Sequence, residues 1–107
     1  MKKIDSKISK NIVNKEKLRK AIEVLDALDN PIREKILKYL EAHPDSTVSN
    51  IIKSLRKVQS FVSKHLGILR LASFVTFQKS GKEVKYAINE QKIADTNKAI
   101  DMLVKTA

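Results

Sequence analysis

The side chains best suited to do chemistry lie in one stretch, Gln59, Ser60, Phe61, Ser63 and Lys64. They are polar or basic groups, with one aromatic, crowded into six positions at the start of an amphipathic segment. Gln can bond bidentately to the edge of adenine, Lys can reach guanine or phosphate, and an apolar ring can touch a thymine methyl. Phe61 has two readings, the thymine contact and a partly buried packing residue. Around this group stand Lys53, Arg56, Lys57, Arg70, Lys79 and Lys82, which suit phosphates. Residues 46–82 carry seven basic side chains and no carboxylate, so most of the net charge of +10 falls in one third of the chain. A polyanion is the natural partner of such a segment; a solvated basic face is the bland alternative.

Other chemistry finds little support. The 107 residues include no Cys, which removes disulfides, thiolate metal sites and thiol nucleophiles. No Gly-rich phosphate loop occurs, and neither His43 nor His65 has a carboxylate partner in local sequence. His43, beside Pro44, reads as a capping or dipole partner of a helix end. Two His without a third ligand make a weak metal case, so no metal, no cofactor and no enzymatic activity are expected. No apolar run approaches the roughly 18 residues of a membrane span, and no signal-peptide stretch follows the Lys-rich start. The expectation is a cytoplasmic, nucleoid-associated protein with no membrane partner.

The elements that must position these residues are legible as changes of period. Leu18, Ala21, Ile22, Leu25 and Leu28 line one face of a helix over about 14–29. Asn30-Pro31 caps and starts a second, with Ile32, Ile36, Leu37 and Leu40 inward. His43-Pro44 stops it. Ser46 or Thr47 can cap a short third helix carrying Val48, Ile51, Ile52 and Leu55. A fourth runs from about Gln59 to Ala72 with Val62, Leu66, Leu69 and Ile68 inward. Two short helices separated by about three residues form a helix-turn-helix. Val75, Phe77, Val84, Tyr86 and Ile88 then alternate with polar residues around Ser80-Gly81-Lys82, a β-hairpin with a basic tip. A last helix spans about Lys92–Lys105.

The expected fold is mainly α with a small β-hairpin, a winged helix-turn-helix in the order α-α-α-α-β-β-α. One domain covers 14–107, preceded by an extension over 1–13 in which Ile4, Ile8 and Ile12 recur every four residues. Leu18, Ile22, Ile93, Asn97, Ile100, Leu103 and Val104 have no obvious cover inside so small a core, and a symmetric dimer would bury them. Gly67, inside a helix, marks either a close approach or a neutral position.

The segment from Gln59 to Arg70, with Val62-Ser63-Lys64-His65-Leu66 followed by Leu69-Arg70, resembles the recognition helix of the ArsR-type winged helix-turn-helix repressors. Leu25 to Arg33 resembles that family's "ALADPTR" opening, and Ala72-Ser73-Phe74-Val75 with Gly81 to Tyr86 resembles its "AGLV" and wing. The resemblance covers about residues 18–92. It implies a homodimer built on the first and last helices, a palindromic double-stranded DNA operator, and release on a signal, usually a metal ion. By motif position it assigns Gln59, Ser60, Ser63, Lys64 and His65 to the recognition helix. Ser63 would meet a phosphate or base, while His65 would pack or touch the DNA backbone. Thr47-Val48-Ser49 stands where the family's thiolate sensor has Cys-x-Cys. Glu90, Lys92, Leu103 and Thr106 stand at its other metal site, where a Lys ammonium and a Leu cannot ligate zinc. Ser73 replaces a helix-ending Gly, which puts the local turn geometry in question. The effector is not indicated. A winged-helix module for a protein or RNA partner is the competing reading, and the outward polar set with its basic wing weighs against it.

Overall fold

The computed structural model describes residues 12–105. Five helices and one hairpin follow in chain order: α1 Lys15–Leu28, α2 Pro31–Ala42, α3 Val48–Leu55, α4 Gln59–Leu71, β1 Val75–Ser80, β2 Glu83–Ile88 and α5 Glu90–Lys105. The order is the expected one. Ile4 and Ile8 of the proposed N-terminal stripe lie outside the described residues; Ile12 is exposed.

Most helix starts obey local rules. Asn14 accepts from the Lys17 amide ahead of α1. Asn30 accepts from the amides of Ile32 and Arg33, with Pro31 in the first turn of α2. Thr47 and Asn50 cap one another's amides at α3, so Thr47 rather than Ser46 is the cap. Ser46 is instead buried and pairs its backbone with Tyr86, N to O at 3.2 and 2.8 Å, which fastens the hairpin to the helices. His43 ends α2 as anticipated, its amide donating to the Tyr39 carbonyl and its ring stacked on Tyr39 at 4.5 Å.

The core is one cluster: Ala27 from α1, Ile36 and Leu40 from α2, Ile51 from α3, Val62, Leu66 and Leu69 from α4, then Phe74 and Val75. Three readings need correction. Phe74 is fully buried, although strand alternation favoured Phe77, which is 49% exposed. The hairpin leaves the core after Val75, so only its base is covered; Phe77 finds the Arg70 guanidinium 4.8 Å away and the Tyr86 ring at 6.2 Å. On α1 the inward face is Val24, Ala27 and Leu28, and Leu18 and Ile22 point away from the core. The last helix begins two residues earlier than expected, because Asn89 caps it by accepting from the Lys92 amide.

Ser73 takes φ 68 at the end of α4, in the left-handed region where glycine is favoured. Its amide donates to the Arg70 carbonyl and that of Phe74 to the Leu69 carbonyl, both at 2.9 Å. These are the paired bonds of a Schellman ending, completed by the buried contact of Phe74 and Leu69 within one cluster. The serine therefore adopts the glycine geometry rather than altering the turn. Gly81, φ 63, opens the two-residue hairpin loop in the manner of primed turns.

Candidate nucleic-acid interface

Helix α4 is held by one face and presents the other. Val62, His65, Leu66 and Leu69 are buried, while Gln59, Ser60, Ser63, Lys64 and Arg70 are exposed. The 3.6-residue period makes this division, since 62, 65, 66 and 69 form one stripe. Ser63, Gly67 and Arg70 continue the outward side and share a cleft with Tyr86 of β2, so the outer face of α4 runs beside the hairpin. The Arg70 guanidinium lies over Phe77 of β1, which ties the same face to the first strand. Among the described residues a Cβ on Gly67 would meet nothing within 4 Å, so no close approach among them explains that glycine.

The other basic candidates are exposed as well. Lys53 is on α3, and Arg56, φ 56, makes the sharp turn into Lys57 and α4. Lys79 and Lys82 flank the hairpin tip. Val58 precedes α4 and has no side chain able to cap it, so the first amides of the helix are left to water or an anion. Phe61 is 36% exposed and packs against His65, ring centres 4.7 Å apart in an edge contact, with Lys57 Nζ 6.0 Å from the ring centre.

His65 is the one candidate that the structure withdraws as a phosphate contact. It is 7% exposed, and its Nδ1 lies 3.0 Å from Arg33 Nη1. Arg33 is itself buried, its Nε donating to the Ala27 carbonyl at 2.6 Å and Nη2 to that of Asp26 at 3.2 Å. A guanidinium has only donors, so His65 Nδ1 must accept and the ring proton must sit on Nε2. Burial, then the charges of Arg33 and Lys64, hold the His65 pKa below its ordinary 6.5. Sequence reasoning missed Arg33. The signal was available: the last turn of α1 has no basic residue to meet its free carbonyls.

A sequence profile of bacterial regulatory proteins of the arsR family matches residues 30–76, from the cap of α2 into β1. A helix-turn-helix transcriptional regulator of Methanocaldococcus jannaschii is 36% identical over 88 residues, 82% of this chain and 99% of that protein. The chain belongs to the ArsR family. Among solved structures of ArsR-like folds, the transcriptional repressor PagR of Bacillus anthracis is 31% identical, with a TM-score of 0.65 over 81% of this chain and 99% of that one. An ArsR-like regulator from Rhodococcus reaches a TM-score of 0.73 over 85% of each chain at 22% identity, a likeness of fold. The family is one of DNA-binding transcriptional regulators, not of enzymes.

The residues of this ArsR-family chain do not fit the metal sites that the resemblance implies. Thr47 spends its hydroxyl in the α3 capping box, and Val48 and Ser49 offer no thiolate. On α5 the corresponding positions include the ammonium of Lys92 and the hydrocarbon of Leu103, and Thr106 lies outside the described residues. Among the described residues no three His, Cys, Asp or Glu side chains come close enough to hold an ion.

Of the residues assigned to a subunit interface, Leu18, Ile22, Leu103 and Val104 are 47, 56, 70 and 64% exposed, and Asn97 is exposed too. Ile93 packs against the core instead and Ile100 is half-buried. Met102, on the neighbouring stripe of α5, is 70% exposed.

Proposed function

We propose that this ArsR-family protein is a homodimeric repressor that reads a palindromic DNA operator through the start of α4, and that neither of the family's familiar metal sites governs its release. The observation that carries this reading is the pairing of exposure with charge: Gln59, Ser60, Ser63 and Lys64 are outward on the first turns of α4, within a segment free of carboxylates. A helix fits the major groove, and the side chains near its N-terminus are those that reach base edges. Lys53, Arg56, Lys57 and Arg70 then serve the phosphates beside it, and Lys79 and Lys82 those reached by the wing. Phe61, leaning on His65, lends its exposed edge to a thymine methyl. The similarity to PagR, a transcriptional repressor, supports the sign of regulation.

Selection from random duplexes tests the reading. The expected product is an inverted repeat with half-sites about one helical turn apart. Affinity for it should fall by several powers of ten between roughly 50 and 200 mM salt if about eight phosphates are engaged. A panel of divalent metals should leave that affinity unchanged. A flat salt response on the selected duplex, or no enriched repeat, counts against DNA recognition; metal-dependent release counts against the non-metal part alone.

A further inference from the structure

We propose that Arg33 and neutral His65 form a positioning pair that fixes the recognition helix, so that operator binding requires His65 without its second proton and weakens as the solution is acidified. This rests on the DNA-binding reading above.

The pair joins three helices. Arg33 on α2 donates to the Ala27 carbonyl and to that of Asp26, which also accepts from the Asp29 amide, at the end of α1, and its remaining nitrogen grips His65 on α4. His65 in turn meets Phe61, one turn earlier on α4, in an edge contact. The setting of the first turn of α4, where the base-reading candidates sit, thus depends on a nitrogen lone pair at His65 Nδ1. A second proton removes that lone pair and sets an imidazolium 3.0 Å from a guanidinium. Both cannot remain: either the imidazole leaves the core or Arg33 abandons two carbonyls of α1.

The surroundings offer no relief. Arg33 faces the ring from α2, and Lys64 acts on it from its own helix; both oppose protonation, as burial does. From α1 the approach is made by backbone carbonyls already bound to Arg33. Among the described residues no carboxylate figures among the influences on the ring, so none stabilises the imidazolium. A histidine touching phosphate behaves in the opposite way, gaining its proton near DNA and binding more tightly in acid. The direction of the pH effect therefore separates a positioning role from direct contact. The sequence contains only one other histidine, His43, so the assignment can be made cleanly.

The experiment measures affinity of the full chain for its selected operator at fixed salt, from pH 7.5 down to about one unit below the pH at which NMR shows His65 taking its second proton. It compares the wild type with His65→Asn, whose Oδ1 can accept from Arg33 but cannot titrate, and with His43→Gln. The wild type and His43→Gln should lose affinity in acid, by up to about tenfold per pH unit for each bound subunit below the folded-state His65 pKa. His65→Asn, which loses the ring contact with Phe61, should hold its own pH 7.5 affinity unchanged in acid. Wild-type affinity that rises or stays level in acid overturns the proposal, and so does a wild-type slope retained by His65→Asn. Nitrogen NMR of the free protein should show an Nε2-protonated ring that resists its second proton below the ordinary histidine range. An Nδ1-protonated ring overturns the pair even where no operator has been found. Failure of every duplex at pH 7.5 falls on the DNA-binding reading, and the NMR result then decides the pair by itself.

Discussion

Arg33 is charged and 8% exposed, and its three partners are two carbonyls and an imidazole. Leaving such a group without partners costs far more than its bonds contribute net, so the pair has consequences for stability as well as binding. Folding depresses the His65 pKa below 6.5, so the unfolded chain binds more protons here in mild acid. The sign follows: the contribution is present above pH 6.5 and is lost as the pH falls through the folded-state value. Denaturant melts should show wild-type stability declining from pH 7 toward 5, with a slope of at most about 1.4 kcal/mol per unit from this group. The His65→Asn variant should be flatter over that range. Equal slopes would mean that the ring is not protected by Arg33.

At the scale of elements the decisive features are turns made by residues other than glycine. Arg56 at φ 56 and Ser73 at φ 68 bracket α4 on both sides. Each costs about 1 kcal/mol against a glycine in the same place. Arg56 repays that cost if its cation meets phosphate. Ser73 has no comparable task, since the bonds at that corner use its amide and its carbonyl, the latter accepting from Asn89 Nδ2 at 2.9 Å. Ser73→Gly should therefore stabilise the fold by about 0.5–1 kcal/mol, raising the melting temperature by about 2–4 °C, with operator affinity unchanged. A lower melting temperature would show that the hydroxyl or the stiffer backbone of serine matters there. The element order was legible because the apolar period switches from helical to alternating at Val75, and because Asn30-Pro31 and Thr47 are strong start signals. The exposed members of the α4 site followed from the same periodicity. Phe74 and Phe77 were not separable by pattern, since alternation cannot say where a hairpin leaves its core. The Arg33–His65 contact joins residues 32 apart in sequence, and local spacing holds no record of it.

The whole molecule leaves apolar surface at its two ends of sequence. Ile12, Val13, Leu18 and Ile22 are exposed before and along α1, and Met102 and Val104 near the end of α5. Only Lys92, Ile93, Thr96 and Ile100 of α5 are buried or half-buried, although sixteen residues give that helix a length of about 24 Å. A helix of that length with so little cover is unfavourable in isolation, because most helical stability comes from packing an apolar face. In the proposed homodimer a two-fold partner would supply the cover and would also set two copies of α4 at the spacing that an inverted repeat requires. Ile22→Asp isolates this argument. In one chain the residue is 56% exposed, so the variant subunit should keep its helices and its core. Across a two-fold interface the substitution places two carboxylates in apolar surroundings at once, which should raise the dimer dissociation constant by about a hundredfold or more. Light scattering over a dilution series should show the variant as monomer where the wild type is dimeric. Operator affinity should fall with it, because each half-site is then bound without its neighbour's help. Non-specific binding, which depends on the cations of one subunit, should change little. A variant that remains dimeric and still binds the full repeat would move the interface away from α1.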